Sequence, residues 1–161
     1  MSGRLFAVAL FSAYLLAALL LAVYPMSQSA SWFRPDLVVL LLIAWMIYRP
    51  HSLGVGSAWL IGLLQDVVIG GVWGAHALAL AFVAYVCSKS YRRLRTYALF
   101  QQTFWVFVFV GIHHVFVNWV ASFSGYSASA HLMFVSVLTS AICWPLLVLS
   151  LRKFGVAANH Y

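Results

Sequence analysis

The stretch LFAVALFSAYLLAALLLAVY, from Leu5 to Tyr24, decides the class of the fold. It is twenty residues long and carries no charge. An α-helix needs about 20 apolar residues to cross the hydrocarbon core of a bilayer, which is about 30 Å thick. The apolar region of a signal peptide is shorter, about 7–15 residues. We therefore predict that this segment is a retained membrane-spanning helix.

The composition of the whole chain agrees with this segment. Apolar residues make up 65% of the 161 positions and charged residues only 7%, whereas soluble domains contain about 25% charged residues. So few charges cannot form the surface of a water-soluble protein of this size, which excludes that class. The length leaves room for one all-α transmembrane domain, residues 1–161, built as a compact bundle of six helices.

Five further apolar segments follow the first one. The second is the shortest, because Asp36 and Arg49 bracket only twelve apolar residues. A run of that length is often a buried or re-entrant segment, and we expect Trp32, Phe33 and Pro35 to extend it. The predicted spans are 5–24, 37–48, 53–69, 74–88, 99–123 and 131–151, and the longest polar loop is 89–95.

The distribution of basic residues predicts the orientation of these spans. Loops on the cytoplasmic side of a membrane carry an excess of Lys and Arg. With six spans and both termini in the cytoplasm, Arg34 is the one basic residue on the outer side. The eight on the inner side are Arg4, Arg49, Lys89, Arg92, Arg93, Arg95, Arg152 and Lys153. The excess of basic charge thus indicates topology and contact with membrane lipid, and we expect no nucleic-acid partner.

Small residues recur every four positions in the third and fourth spans, on both sides of a turn formed by Gly70, Gly71 and Gly74. This spacing lets two helix backbones approach closely in a membrane. The two stripes pack on each other or receive a helix of a partner, and we favour the first arrangement. They consist of Gly54, Ala58, Gly62 and Asp66, and of Gly71, Ala75 and Ala79.

Asp66 is the one acidic residue inside a predicted span. An ionised carboxylate at that depth costs about 2.5–3.5 kcal/mol on insertion scales, so we expect it to face the interior and to have a partner. The antiparallel register of the spans places Arg34 and His76 at a similar depth. We favour a structural pair that locks spans two, three and four together over a proton or substrate site.

The remaining polar residues predict no catalytic or metal site. His113 and His114 are neighbours on a helix, where adjacent side chains point about 100° apart, so we expect that they cannot share a metal ion. Cys87 and Cys143 lie in different spans and have no metal-ligand spacing. The sequence contains no phosphate-binding loop, dinucleotide fingerprint or carboxylate dyad. We therefore expect no enzymatic activity and no cofactor.

Several motifs together resemble the MreD family of bacterial rod shape-determining proteins. The resemblance covers nearly the whole chain and is densest from residue 33 to residue 85. It is carried by Phe33-Arg34-Pro35-Asp36, Trp45, Pro50, Gly54-x-Gly56, Gly62-Leu-Leu-Gln-Asp66, Gly70, Gly74, Ala77, Ala84-Tyr85, Trp144-Pro145 and Arg152-Lys153.

The resemblance implies a non-enzymatic role in cell-wall elongation at the bacterial inner membrane. Proteins of this family associate with MreC, a single-span protein with a large periplasmic part. The pair belongs to a machinery with MreB filaments, the glycosyltransferase RodA and a class B penicillin-binding transpeptidase. The family also resembles, in fold, the substrate-binding S components of energy-coupling-factor vitamin transporters. That second likeness implies an alternative, a subunit that binds or transports a small molecule.

A physical difference separates the two interpretations. A binding subunit keeps a pocket of about 300 Å³ or more with convergent polar groups. A scaffold has a filled core and offers a flat face of small or aromatic residues to its partner. We expect Asp66, Arg34 and His76 to satisfy one another, which favours the scaffold.

Overall fold

The computed structural model describes residues 2–25, 33–125 and 130–156. Within these ranges the chain forms six α-helices and no β-strand, which confirms the all-α class. Three segments are long and apolar enough to cross a membrane, Leu5–Val23, Leu99–Ser122 and Met133–Lys153. The helices are α1 (Ser2–Val23), α2 (Leu37–Tyr48), α3 (Val55–Ile69), α4 (Ala75–Thr96), α5 (Leu99–Ser122) and α6 (Ala130–Lys153).

Helix α2 forms the centre of the bundle. Its ten residues 38–47 are all buried, with at most 2% of any of them exposed. The helix packs against α1, α4, α5 and α6, so its uniformly apolar surface meets protein on every side. Its twelve residues span roughly 18 Å, less than the thickness of the hydrocarbon core. The predicted extension is wrong for Phe33 and Pro35, which precede the helix, and Trp32 lies outside the described residues.

The most extensive packing in the bundle joins α3 to α4. At the centre of this contact, a Cβ atom added to Gly62 would lie 2.4 Å from the Cα of Ala77. The two backbones are therefore in direct contact, as the small-residue spacing predicts for packing within the chain. The turn between the helices uses Gly70 and Gly74, whose φ angles of +72° and +90° favour glycine.

Helix α4 is longer than predicted, because residues 89–95 form its last turns and not a loop. No Gly or Pro interrupts the chain between Ala75 and Thr96, and cations near the end of a helix interact favourably with its dipole. We call the exposed basic residues Lys89, Arg92, Arg93 and Arg95 the basic end of α4. Leu94, between them, is buried against the core.

A buried glutamine holds this end of α4 in place. The side-chain amide of Gln102, on α5, donates hydrogen bonds to the carbonyl oxygens of Leu94 (3.1 Å) and Tyr97 (3.2 Å). Its oxygen accepts a hydrogen bond of 3.1 Å from the hydroxyl of Tyr48 on α2. Carbonyl groups at a helix end have no partner within the helix. One side chain therefore joins α2, α4 and α5.

Large apolar side chains cover the outside of the bundle. Leu20 on α1, Trp119 on α5 and Leu146 on α6 are each more than half exposed. Soluble monomers rarely expose apolar surface on this scale. The outer faces of the helices are thus suited to lipid, as expected of a membrane protein.

Candidate functional site

Asp66 lies in the last turn of α3 and is surrounded by hydrogen-bond donors. The carboxylate is fully buried and accepts hydrogen bonds from the backbone N–H groups of Gly74 (2.8 Å) and His76 (3.0 Å). The N–H of Ala77 contributes a longer bond of 3.3 Å. The imidazole Nδ1 of His76 lies 2.8 Å from the same carboxylate. Four donors therefore surround one buried acid.

These contacts make Asp66 a cap for the N-terminus of α4. The first N–H groups of a helix have no partner within it and carry a partial positive charge, so a carboxylate there is stabilised. Gly74, the residue just before α4, has no side chain that could supply this cap. Asp66 supplies it from the end of α3, which fixes the two helices relative to each other.

The structure distinguishes between the two partners considered for Asp66. The acid contacts His76, whereas the guanidinium of Arg34 donates hydrogen bonds to the carbonyl oxygens of Ala22 and Tyr24 at the end of α1. The Asp66 pair joins α3 to α4. The expected link to the second span through Arg34 is not formed.

A second carboxylate, Asp36, lies beside two histidines. It occupies the position just before α2, and its Oδ2 atom lies 3.2 Å from Nδ1 of His113 and 3.9 Å from Nε2 of His114. We expected that adjacent histidines cannot share a metal ion, but here both rings approach the same carboxylate. Their side chains leave α5 in different directions, but they present different ring nitrogens to a carboxylate that lies between them.

Helix α6 positions the backbone around Asp36. The hydroxyl of Ser140 accepts a hydrogen bond of 2.8 Å from the N–H of Asp36, and Ser136, one turn earlier, donates one of 2.9 Å to the carbonyl of Arg34. Ser140 also donates to the carbonyl of Ser136 at 2.7 Å. Hydrogen bonds to α6 therefore fix the backbone of residues 34–36, just before α2 begins.

The two carboxylate groups belong to one cluster. The rings of His76 and His113 approach with a centroid distance of 5.7 Å, and the rings of His113 and His114 with one of 5.6 Å. The cluster, defined as Asp36, Asp66, His76, His113 and His114, draws on α3, α4, α5 and the segment before α2. Within it, Asp66 contacts His76, and the rings of His113 and His114 connect His76 to Asp36.

The meeting of Asp36 with His113 and His114 could not be predicted, because the sequence does not give the position of each residue along the axis of the bundle. Because α2 is only about 18 Å long, Asp36 lies beside the middle of α5 and not beside its end. A comparison of span lengths could have indicated this, since α5 has 24 residues and α2 has 12. His113 then lies opposite an acid that the sequence places at the end of a span.

A pocket of about 570 Å³ adjoins the cluster. It exceeds the size of about 300 Å³ expected of a small-molecule site. Gln65, also in its wall, is buried, and its Oε1 has no hydrogen-bond partner among the described residues. The pocket is a cleft between the end of α1 and the cluster, at the edge of the packed core around α2. Polar residues of the lining are Arg34, Asp36, Gln65, His76, His114 and Ser136.

The other candidates from the sequence lie around this cluster or apart from it. Phe33 and Pro35 line the pocket. Ala58 is buried in the core, whereas a Cβ at Gly54 would meet nothing within 4 Å, so Gly54 is not part of the close helix contact. The basic end of α4 is exposed and lies beyond the pocket lining.

Comparison with known proteins gives a consistent result. The family model described as rod shape-determining protein MreD matches residues 2–154. A curated protein of Haemophilus influenzae (strain ATCC 51907 / DSM 11121 / KW20 / Rd), named rod shape-determining protein MreD, is 29% identical over 141 residues. The alignment covers 87% of this chain and 86% of that protein. No solved structure matches the chain.

Proposed function

This chain belongs to the MreD family of rod shape-determining proteins, and from that premise we propose that it is a non-enzymatic scaffold of the cell-wall elongation machinery. The observation that carries the proposal is the match of the family over nearly the whole chain, on a membrane protein whose helices account for that length. Membership in the family supports a role in the maintenance of rod shape.

We infer that the scaffold spans the bacterial inner membrane six times, with both termini in the cytoplasm. Arg49 follows the last residue of α2, Arg95 lies in the last turn of α4, and Lys153 is the last residue of α6. Alternate helices of a bundle with short loops end on the same side, so this pattern supports a cytoplasmic location for those ends. Arg34 and the Asp36 end of the cluster then lie toward the periplasm.

Cysteine labelling tests this topology. In a chain that lacks Cys87 and Cys143, a cysteine at Arg93 is expected to react only with reagents that reach the cytoplasm. A cysteine at Ser124, which is exposed after α5, serves as the matched control for the outer side. Labelling of position 93 from the periplasm would contradict the six-span topology.

The proposed direct partner is MreC. Support comes from the family and from the rigidity of the α3–α4 pair, in which backbone contact at Gly62 and the Asp66 cap fix one geometry that a partner helix can recognise. Through MreC we place the chain in one assembly with RodA, the class B penicillin-binding transpeptidase and MreB.

Crosslinking in membranes followed by purification tests this partnership. The tagged chain is expected to recover MreC, while an unrelated multi-pass inner-membrane protein with the same tag recovers none. The other members are expected to co-purify less when MreC is absent. If a folded chain recovers RodA or MreB equally well without MreC, the direct contact lies elsewhere.

The pocket beside the cluster supports a second candidate function, binding of a small molecule. Its volume and its converging polar side chains meet the criterion that separates a binding subunit from a filled scaffold. Ala22, whose side chain lines the pocket, can be changed to Phe to occupy the space. A scaffold is expected to tolerate Ala22→Phe and to support rod shape, whereas a binding subunit is expected to lose function while it still recovers MreC.

A further inference from the structure

Three potential metal ligands converge in the cluster. Asp36, His113 and His114 each offer one ligand atom, and these three atoms lie within 4.8 Å of one another. Oδ2 of Asp36 lies 3.2 Å from Nδ1 of His113 and 3.9 Å from Nε2 of His114. Ligands of tetrahedral Zn²⁺ have bonds of about 2.0–2.2 Å, which places them about 3.3–3.6 Å apart. We propose that Asp36, His113 and His114 bind a divalent transition-metal ion, with Zn²⁺ the best fit.

The buried ring nitrogens provide a second indication. Neither nitrogen of His113, nor Nε2 of His114, makes a hydrogen bond to the described residues. Nδ1 of His113 and Nε2 of His114 have Asp36 as their polar neighbour, and the side chain of His113 is 0% exposed. Buried polar groups almost always have a partner, because leaving one unpaired costs about 1–3 kcal/mol. A metal ion between these rings and Asp36 would bind Nδ1 of His113 and Nε2 of His114 together with the carboxylate.

The chemistry of the ligands selects the class of ion. Two imidazoles and one carboxylate suit Zn²⁺ and its transition-metal neighbours, whereas Ca²⁺ and Mg²⁺ prefer sets made of oxygen. Three protein ligands leave a coordination position open for water. Gln65, whose buried Oε1 has no hydrogen-bond partner among the described residues, lies in the wall of the pocket that adjoins the cluster.

The Asp66–His76 pair supports the site from the side of α4. Asp66 orients the imidazole of His76 through Nδ1, and this ring lies against His113. The pocket, lined by Asp36 and His114, provides a path by which an ion can enter.

The test is a metal titration of the full-length chain, purified in detergent through a tag without histidine and treated with a chelator. Calorimetry with Zn²⁺ is expected to show one site per chain. Co²⁺ in the same chain is expected to give the intense visible absorption of a four-coordinate ion with nitrogen ligands. A parent chain that binds neither ion with this stoichiometry overturns the proposal, whatever the variants do.

The variants locate the site. Asp36→Asn and His114→Gln are each expected to weaken Zn²⁺ binding at least ~10-fold, since even outer-shell changes have effects of that size. His51→Gln, at an exposed histidine in the turn after α2, is the matched control and is expected to bind like the parent. Thermal unfolding and gel filtration show that each variant is folded. If folded Asp36→Asn and His114→Gln both retain the parent affinity, these residues do not bind the ion.

Discussion

Replacing Gly62 by Ala perturbs the contact on which α3 and α4 depend. The new Cβ would lie 2.4 Å from Cα and 2.7 Å from N of Ala77, and 2.7 Å from the carbonyl oxygen of His76. Non-bonded carbon atoms prefer about 3.5–4.0 Å, so the helices must separate by about 1 Å. All three atoms belong to the backbone, which means that no side-chain rotation can relieve the overlap.

The separation of α3 from α4 also weakens the hydrogen bonds of Asp66. Asp66 lies one turn after Gly62 and accepts hydrogen bonds from the N–H groups of His76 and Ala77, which move away with α4. Overpacking costs about 1–3 kcal/mol, and each weakened hydrogen bond adds about 0.5–1.5 kcal/mol. We expect a total loss of about 3 kcal/mol. For a chain of this length that corresponds to a fall in melting temperature of roughly 6–12 °C.

Gly56→Ala is the matched control on the same helix. A Cβ at Gly56 would meet nothing within 4 Å, and Ala favours a helix over Gly by about 1 kcal/mol. Thermal unfolding in detergent is therefore expected to show a parent-like or higher melting temperature for Gly56→Ala and a clear fall for Gly62→Ala. Recovery of MreC should follow the same order. If the two variants melt together with the parent, the close backbone contact does not stabilise the fold.

Asp66→Ala is expected to lower stability by about 3–5 kcal/mol, because it leaves buried donors and His76 unpaired, and to lower protein level and MreC recovery together. Asp66→Asn should be partial, and parent-like stability and MreC binding in both would refute the structural role. Gln102→Leu is expected to lose about 1–3 kcal/mol in thermal unfolding, because two carbonyls at the end of α4 lose their donor; Gln101→Leu, at an exposed neighbour, should not. Changing the three arginines of the basic end of α4 to Gln should reduce the fraction of chains that insert correctly, measured by cysteine labelling. The same change should weaken binding to anionic vesicles by about 1 kcal/mol per residue. Normal insertion with loss of one protein partner would instead assign this end to that partner.

The sequence predicted much of the fold because lipid imposes simple rules on a chain. A backbone in hydrocarbon must satisfy its own hydrogen bonds, so apolar runs become helices. The predicted spans 99–123 and 131–151 lie within two residues of α5 and α6 at every end. The predicted end of α4, at residue 88, was wrong because it was taken from the position of charged residues. Charge marks where a chain leaves the membrane, but a helix without Gly or Pro continues past that point.

The sequence also identified Asp66 as an acid that needs a partner, with His76 among the candidates. This followed from composition, since it is one of two acidic residues in the chain and a buried charge without partners is costly. Its role as the cap of α4 could not be predicted. Hydrogen bonds from backbone N–H groups depend on where the next helix starts and not on the identity of its side chains.

Only the tertiary structure decided that Asp36, His113 and His114 meet. Asp36 lies more than 70 positions before the two histidines in the chain. Their meeting depends on α2 being short and central, so that its N-terminal end lies level with the middle of α5. The depth at which a helix ends is set by packing against its neighbours, and periodicity along the chain carries no record of it. Composition determined the class, the helices and the need to pair a buried acid, while packing assembled the cluster and the pocket beside it.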